Sequence, residues 1–280
     1  MKIGFIGIGN MGGSILKGYA KSSASAGNVI LVHDRMTENN HAMAEAIAQS
    51  GYTNKSLVVC NDNRELAEEA DIIIIGVKPA IVNSVLKEIA PATDKIIVSM
   101  AAGVSIAKLE TGLNEAVPGS GSAAKLIRIM PNTPARVGAA MTAMCRNGNV
   151  SDEEFAAAKT IFDSVGVAEG VPEDMIDCVI GVSGSSPAYT YMYIEALVKA
   201  AVANGMDAEQ ARVFACQAVI GAAKMALESK ESLEQLRINV CSPGGTTIEA
   251  VKKLQTNGFM DNVIEAFQAA VDRSKEMTAE

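Results

Sequence analysis

The 280-residue sequence lacks the features of a membrane, metal-binding or disulfide-stabilised protein. Its longest aliphatic run, residues 72–75, is far too short to span a bilayer. Two histidines, His33 and His41, suggest no metal cluster. The five cysteines are odd in number and scattered, with no Cys-x-x-Cys pair, so we expect reduced thiols in a cytoplasmic protein. Residue 1 leads straight into a predicted strand, so we expect no signal segment.

An excess of positive charge is also absent. The 24 lysines and arginines are outnumbered by 32 aspartates and glutamates, which gives a formal charge of −8. This charge disfavours a nucleic-acid or anionic-membrane partner, although it leaves room for a local basic pocket that holds a cofactor phosphate. The length is sufficient for one or two sizeable cores.

A glycine-rich turn organises the first half of the sequence. Residues 2–6 predict a buried strand, Gly7-x-Gly9-x-x-Gly12 follows, and a helix is predicted after it. In a dinucleotide-binding turn the first glycine allows the tight bend, the second admits a pyrophosphate and the third lets helix and strand pack closely. The alternative is a plain tight turn between strand and helix. We predict cofactor contacts from Ile6, Gly7, Ile8, Gly9, Asn10, Met11 and Gly12.

An acidic residue follows the second predicted strand, residues 29–32. Asp34 stands about twenty residues past the glycines, where a carboxylate binds the 2′-hydroxyl of the adenosine ribose. Arg35 beside it could instead hold a 2′-phosphate or stack on adenine. The pair leaves NADH and NADPH both open, and a solvated strand end is the third possibility.

Further strands alternate with helices up to about residue 150. This alternation predicts a doubly wound parallel sheet. The predicted strands are residues 57–60, 71–77, 95–99 and 126–130. The third strand of the sequence precedes Asp62 and Glu65, which predict a capping box. The fourth ends in Lys78-Pro79, where such sheets bind ligands, so we predict a phosphate or ribose contact; a lysine at a helix start without a ligand is equally compatible.

Three loops follow in the same half. The small residues 100–104 permit a flat ring to approach the backbone closely. Residues 114–125 are predicted to be partly loop and exposed. Residues 131–134 place Asn132 in a polar turn fixed between two prolines, which is either a ligand contact or an ordinary surface loop.

The character changes from residue 151, where a capped helix is predicted. Residues 188–204, 207–227 and 259–277 predict long alanine-rich helices with apolar residues at helical spacing. Their apolar surface is too extensive for solvated single helices. We therefore expect them to pack against each other or against a second subunit.

Two motifs interrupt these helices. In the first, Ser186 is predicted as the N-cap and Pro187 as the first helical residue. In the second, Thr246 and Glu249 fit a capping box, which leaves the Thr247 hydroxyl unused. Helix-start N–H groups, together with that hydroxyl and Ser242, could receive a carboxylate.

At this point the sequence resembles the Δ1-pyrroline-5-carboxylate reductase family over nearly its whole length. The shared motifs, in order, are Gly7-x-Gly9-x-x-Gly12, Val77-Lys78-Pro79, Met100-Ala101-Ala102-Gly103-Val104, Arg128-Ile129-Met130-Pro131-Asn132-Thr133-Pro134, Gly184-Ser185-Ser186-Pro187-Ala188-Tyr189 and Ser242-Pro243-Gly244-Gly245-Thr246-Thr247. The last is the most specific.

The resemblance implies an NADPH-dependent oxidoreductase, often accepting NADH, that reduces pyrroline-5-carboxylate to L-proline in the last step of proline biosynthesis. It implies an α/β fold with an amino-terminal Rossmann doubly wound sheet, placed at residues 1–165, and an all-helical dimerisation and substrate domain at residues 166–280. Members form intertwined dimers, often assembled into decamers, and hold the substrate between one subunit's cofactor domain and helical segments of the dimer.

The resemblance also implies site residues. Thr247 matches the threonine near the imine nitrogen and is the predicted catalytic residue. The predicted substrate-binding residues are Ser242, Gly244, Gly245, Thr246 and Thr247. Asn63, Lys78, Pro79 and Ala102 match the family's cofactor contacts. Together with the positions argued from the residues themselves, the predicted cofactor contacts beyond the glycine turn are Asp34, Arg35, Asn63, Val77, Lys78, Pro79, Ala101, Ala102 and Asn132. The sequence departs from the family at Asp34, which puts NADPH preference in question, and at residues 114–125, which are longer than usual and suggest a surface insertion.

Two other functions share parts of this pattern. A β-hydroxyacid dehydrogenase or other imine reductase of similar layout carries a catalytic lysine early in the central helix, where this sequence has Thr190. A non-catalytic nucleotide sensor would keep the glycine turn but would not need residues 242–247 intact.

Overall fold

The computed structural model describes residues 1–49, 51–92 and 94–279, and over these it contains eight β-strands and thirteen α-helices. The strands are β1 (Lys2–Ile6), β2 (Val29–His33), β3 (Leu57–Val59), β4 (Ile72–Ile75), β5 (Ile96–Ser99), β6 (Lys125–Met130), β7 (Ala140–Arg146) and β8 (Gly166–Gly170). They form one sheet in the order β3-β2-β1-β4-β5-β6-β7-β8.

The helices up to residue 184 belong to the unit that contains the sheet, and those between residues 185 and 269 form a separate unit. They are α1 (Asn10–Lys21), α2 (Thr37–Ala48), α3 (Asn63–Glu69), α4 (Pro79–Ile89), α5 (Ile106–Ala116), α6 (Ser120–Ala123), α7 (Asp152–Asp163), α8 (Ile176–Val179), α9 (Ser186–Ala203), α10 (Ala208–Glu228), α11 (Leu233–Val240), α12 (Thr246–Thr256) and α13 (Phe259–Ala279).

The predicted Rossmann-type sheet is confirmed. The six predicted strands are β1 to β6, and they pair with one another in parallel. All four residues of β4 are buried, as expected for a strand covered on both faces. One apolar core lies on the α1, α2 and α7 side and another on the α3, α4 and α5 side. The parallel arrangement gathers the carboxyl ends of β1, β2, β4 and β5 at one edge.

Beyond the predicted strands the sheet is mixed, because it continues through a strand that the sequence did not predict, β7. Strand β7 runs antiparallel to β6, and β8 runs parallel to β7. A 3₁₀ turn at Thr133–Val137 and Gly138, whose φ is +72°, reverse the chain between β6 and β7 without a crossover helix. A short connection of this kind permits only antiparallel pairing.

The chain forms two compact units. The first runs from Met1 to Gly184 and includes α13 from Ala270 onward, and the helical unit runs from Ser185 to Ala269. Strand β8 lies beyond the boundary that we predicted at residue 165, and it belongs to the sheet of the first unit.

The segment 114–125 is largely exposed, as predicted, but it is more helical than expected and part of it packs on α5. Helix α5 continues to Ala116, and α6 follows at Ser120–Ala123. The Ser120 hydroxyl is buried and donates to the Leu113 carbonyl at 2.8 Å. A methyl group on Gly121 would lie 2.0 Å from the Glu110 carbonyl oxygen, so the segment lies directly against α5. Two of the residues that suggested a loop, Ser120 and Gly121, serve this close contact instead.

The helical unit has little apolar core of its own. Helix α9 has no buried residue within the described chain, and only Ala211 and Ala215 are buried in α10. Large apolar side chains are exposed instead, including Met192 at 70% and Phe214 at 63%. Exposed apolar surface of this extent marks an interaction surface.

No helix in the described part of the chain combines the length and apolar character needed to cross a membrane.

Candidate functional site

The glycine turn has the geometry that a dinucleotide phosphate requires. Gly7 has φ +81°, and a methyl group on Gly12 would lie 2.4 Å from the Gly7 carbonyl oxygen, so both positions require glycine. Gly9 faces open space, with no other group within 4 Å of a side chain placed there, and is the N-cap of α1. The first turn of α1 contains no acidic residue, so its N–H groups remain suited to an anion.

A fourth glycine, which sequence reasoning missed, supports the same turn. A methyl group on Gly76, just after β4, would lie 2.5 Å from the Gly7 carbonyl oxygen. The β1 turn and the β4 end therefore touch through their backbones. The signal in the sequence was a glycine directly after four isoleucines, at the carboxyl end of a strand.

Asp34 lies at the end of β2 and is tied to the glycine turn. Its Oδ2 accepts a hydrogen bond from the Ile8 N–H at 2.8 Å, and its Oδ1 accepts one from the Met36 N–H at 2.9 Å. Buried Asn40 holds the Asp34 backbone through two hydrogen bonds of 2.9 Å each. Sequence reasoning missed Asn40. Arg35 is exposed and has no ion pair within the described ranges.

Asn63 opens α3 with an unusual side-chain environment. Its Nδ2 donates to Glu88 at 2.7 Å, while its buried Oδ1 has no partner among the described residues. A buried acceptor without a partner is uncommon, and a ligand hydroxyl would satisfy it. The predicted capping box is half present, because Asp62 accepts from the Glu65 N–H but the Glu65 carboxylate accepts from Asn61 instead.

Val77, Lys78 and Pro79 join β4 to α4 at the same edge. Pro79 is the first residue of α4 and Lys78 is its N-cap, as the sequence predicted. The Lys78 side chain is exposed and forms no ion pair in the part of the chain that the structure describes. It is therefore available to a phosphate or a ribose.

The loop after β5 is held by the last turns of α13. Ala101 is buried and Ala102 half-buried, and the following Gly103 has φ +73°. A methyl group on Gly103 would lie 3.0 Å from the Met277 carbonyl oxygen. About one turn earlier in the same helix, the Ser274 hydroxyl donates to the Asp177 carboxylate at 2.5 Å.

Asn132 is buried and takes part in the internal structure of the first unit. Its Oδ1 accepts from the Met141 N–H at 2.9 Å, and its Nδ2 donates to the Ser183 carbonyl at 3.0 Å. One N–H of its amide is left for a ligand. These bonds explain the polar turn without requiring a cofactor, so the predicted cofactor contact remains a prediction.

The helical unit presents the predicted substrate turn at the start of α12. Gly244 has φ +70°, and a methyl group on Gly245 would lie 2.5 Å from the Ser242 hydroxyl. The predicted capping box of Thr246 and Glu249 was wrong, because Gly245 is the N-cap and Thr246 already lies in the helix. Since glycine has no side chain, it supplies no cap to the N–H groups of the first turn. Thr247 is half-buried in the second helical position.

The predicted N-cap at Ser186 was also wrong. A π-helical turn at Ile180–Gly184 leads directly into α9, and Ser185 is the N-cap while Ser186 is the first helical residue. The Ser186 carbonyl accepts from the Thr190 hydroxyl at 3.0 Å. A single π turn inside a helical segment is frequent at functional sites.

Two of the cysteines are buried in the first unit. Burial raises the pKa of the Cys60 thiol and that of the Cys145 thiol to about 11, so both are weak nucleophiles. No group of three or more metal-ligating side chains occurs among the described residues.

Known proteins match this chain over nearly its whole length. A family model described as pyrroline-5-carboxylate reductase dimerisation matches residues 173–277, and one described as NADP oxidoreductase coenzyme F420-dependent matches residues 2–103. The sequence is 44% identical to pyrroline-5-carboxylate reductase from Escherichia coli K12, over 99% of this chain and 98% of that protein.

Two solved structures are also similar. A pyrroline-5-carboxylate reductase from Coxiella burnetii has a TM-score of 0.88 and 35% identity, over 99% of this chain and 98% of that one. A pyrroline carboxylate reductase from Plasmodium falciparum, solved with NADP bound, has a TM-score of 0.82 and 32% identity, with the same two coverages.

Proposed function

Because this chain belongs to the pyrroline-5-carboxylate reductase family, we propose that it reduces pyrroline-5-carboxylate to L-proline with NADPH or NADH. The reaction is the oxidation of a nicotinamide cofactor coupled to reduction of a C=N bond. The observation that carries the proposal is the similarity along the full chain, since the matched length includes both the glycine turn and the Ser242–Thr247 turn. No other activity is favoured by a particular observation.

The first unit has the features needed to bind the cofactor. The α1 start is suited to the pyrophosphate, Asp34 to a ribose hydroxyl, and the unpartnered Asn63 oxygen to a further hydroxyl. The cofactor, when bound, supplies the hydride that reduces the imine. The residues present therefore fit a dinucleotide. The NADP-bound Plasmodium relative supports NADPH, whereas the negative charge of Asp34 supports NADH.

The turn at the start of α12 has the features needed to bind the substrate. N–H groups of the first helical turn, which Gly245 leaves without a side-chain cap, receive the substrate carboxylate together with the Ser242 hydroxyl. The Thr247 hydroxyl forms a hydrogen bond with the ring nitrogen, which must carry a proton in the reduction. A weakly acidic hydroxyl of this kind accelerates the reaction by about 10- to 100-fold. An iminium is already electrophilic near neutral pH, so a strong acid is not required.

The helical unit is proposed to form a homodimer. Its helices expose large apolar side chains on several faces, among them Tyr191, Met192 and Phe214. A second copy of the same unit would cover these faces and complete an apolar core that one chain lacks. Assembly of such dimers into a decamer is the further step that the family resemblance suggests.

The test is a comparison of substrates and cofactors on the purified protein. Oxidation of NADPH and of NADH is followed at equal concentrations with pyrroline-5-carboxylate, and in parallel with a β-hydroxyacid and its keto acid as controls. We expect proline to form in equal amount to the oxidised cofactor. Turnover of the hydroxyacid pair with no proline formation would favour a hydroxyacid dehydrogenase, and dinucleotide binding without turnover of any substrate would favour a sensor.

A further inference from the structure

A groove of about 720 Å³ runs along α1 in the first unit. Its lining includes Ile8, Gly9 and Asn10, next to the glycine turn, and Lys21 at the end of α1. The sheet-facing side of α1 is buried through residues such as Ile15, Leu16 and Tyr19. Ser14 and Lys17, which line the groove, lie on a different side of the helix. We call this feature the α1 groove.

The α1 groove carries positive charge in a protein whose formal charge is −8. Lys17, Lys21 and Arg136 line it, and no aspartate or glutamate does. None of these three cations forms an ion pair or hydrogen bond within the described residues, and the Lys21 ammonium lies 5.2 Å from the centre of the Tyr52 ring. Unpaired charges of one sign in a concave surface attract a ligand of the opposite sign.

The α1 groove extends well beyond the predicted cofactor turn. Asn10 opens the helix and Lys21 closes it, so the two lie about 16 Å apart at 1.5 Å per residue. A pyrophosphate held by N–H groups at the start of α1 does not reach Lys21. Arg136 comes from the 3₁₀ turn after β6 and Ser164 from the end of α7, and neither belongs to the predicted cofactor contacts.

We propose that the α1 groove binds a small anion that contains two or more linked phosphate groups. Arginine offers a fork of donors that matches phosphate oxygens, and lysines add point charges along a chain of phosphates. The volume lies within the range of pockets that bind small molecules. Because the groove shares Ile8, Gly9 and Asn10 with the glycine turn, the bound anion lowers the affinity of the protein for the dinucleotide.

The test is calorimetric titration of the full-length protein with sodium tripolyphosphate at low salt. We expect saturable binding with one site per chain, weakened by added salt. The double variant Lys17→Gln, Lys21→Gln should bind about tenfold or more weakly, and Arg136→Gln about threefold to tenfold more weakly. Lys87→Gln is the matched control, since it removes one exposed lysine from α4 on the opposite face of the sheet, and it should bind like the parent protein.

A second measurement separates the α1 groove from the cofactor site. Dinucleotide affinity without tripolyphosphate should be the same in the double variant and in the parent, while only the parent loses affinity when tripolyphosphate is added. A titration with ATP in place of tripolyphosphate tests whether the anion is a nucleoside polyphosphate. If the double variant weakens ATP binding by the same factor as tripolyphosphate binding, the two ligands share the site. These results do not depend on whether the protein reduces pyrroline-5-carboxylate.

Four outcomes would overturn the proposal. The first is that tripolyphosphate does not bind, and the second is that the parent and the double variant bind it with the same affinity. The third is that the double variant binds the dinucleotide more weakly than the parent when no tripolyphosphate is present. The fourth is that citrate binds the parent as strongly as tripolyphosphate does. Circular dichroism of each variant shows whether it is folded, and Arg136→Gln provides an independent test should the double variant not fold.

Discussion

The carboxylate of Asp34 accepts a hydrogen bond from the backbone N–H of Ile8, with 2.8 Å between the two atoms. This bond fixes a negative charge at the end of β2, directly beside the glycine turn. Asn40 restrains the same point through two bonds to the Asp34 backbone. A fixed carboxylate suits a ribose 2′-hydroxyl and repels a 2′-phosphate.

Removing this charge should change cofactor preference. In Asp34→Ser and Asp34→Asn, we expect the ratio of kcat/KM for NADPH to that for NADH to rise about tenfold, since a repulsion of ~1.4 kcal/mol is lost. The asparagine retains an oxygen that can accept the Ile8 N–H, so its thermal stability should fall less than that of the serine variant. Steady-state kinetics with both cofactors check the first point, and an unchanged ratio in both variants would show that Asp34 does not face the 2′ position.

Gly9 and Gly12 should respond differently to alanine. Gly12→Ala places a methyl group against the Gly7 carbonyl, and we expect a loss of about 1–3 kcal/mol in the free energy of unfolding. Gly9→Ala has open space and φ −65°, so it should fold normally and lose dinucleotide affinity alone. Thermal unfolding and dinucleotide titration distinguish the two. Normal cofactor affinity in Gly9→Ala would mean that no phosphate approaches this turn closely.

Loss of the Thr247 hydroxyl should slow the chemical step. We expect Thr247→Ala to lower kcat for pyrroline-5-carboxylate by about 10- to 100-fold, and Thr247→Ser to retain most of the rate. Thr256→Ala, at the exposed end of the same helix, is the control. Single-turnover kinetics measure the effect, and a full rate in Thr247→Ala would remove this residue from the mechanism.

A charge on the exposed apolar side of α10 should disrupt the dimer. Phe214 is 63% exposed in the single chain, and we expect Phe214→Glu to raise the dimer dissociation constant by about 30-fold or more. Val167→Glu, at a 53% exposed position in the first unit, should leave the oligomeric state unchanged. Sedimentation measured over a range of concentrations tests both. A monomeric parent protein would contradict the proposed homodimer itself.

Two of the five cysteines should resist thiol reagents in the native protein. Burial raises the pKa of Cys60 and that of Cys145 to about 11, so at pH 8 only about one in a thousand of each is thiolate. We expect at most three rapidly reacting thiols with Ellman's reagent, and five in urea. The double variant Cys60→Ser, Cys145→Ser should show the same fast phase as the parent. A smaller fast phase in this variant would mean that these thiols are accessible.

The sequence predicted the strands of the first unit well because their signals are local. Residues 72–75 are four isoleucines, and a run of this kind is typical of a strand covered on both faces. The glycine spacing likewise fixes a strand, a turn and a helix within twelve residues. Strand β7 was missed because its Ala-Met-Thr-Ala-Met pattern has no strong strand preference, and its place in the sheet comes from pairing with β6.

Helix starts were predicted less accurately because a cap depends on the backbone conformation of one residue. Thr246 has the residue type of a cap, yet the positive φ of Gly244 turns the chain one residue earlier and makes Gly245 the cap. The prediction of Ser186 as an N-cap was wrong for a similar reason, since the π turn before it already has helical backbone. Gly76 was missed because its role arises from contact with Gly7, a residue distant in the sequence, and Asn40 because its bonds to the Asp34 backbone depend on how the chain turns between them.

The contact of Gly103 with the Met277 carbonyl makes α13 a support for the loop that follows β5. Ser274 and Asp177 anchor the helix on the same unit. Deletion of the last turns of α13 removes no predicted ligand contact, yet it removes the surface on which the loop after β5 packs. If such a shortened protein lost nicotinamide binding, the cause would therefore be a displaced loop after β5 and not the loss of a residue that contacts the cofactor.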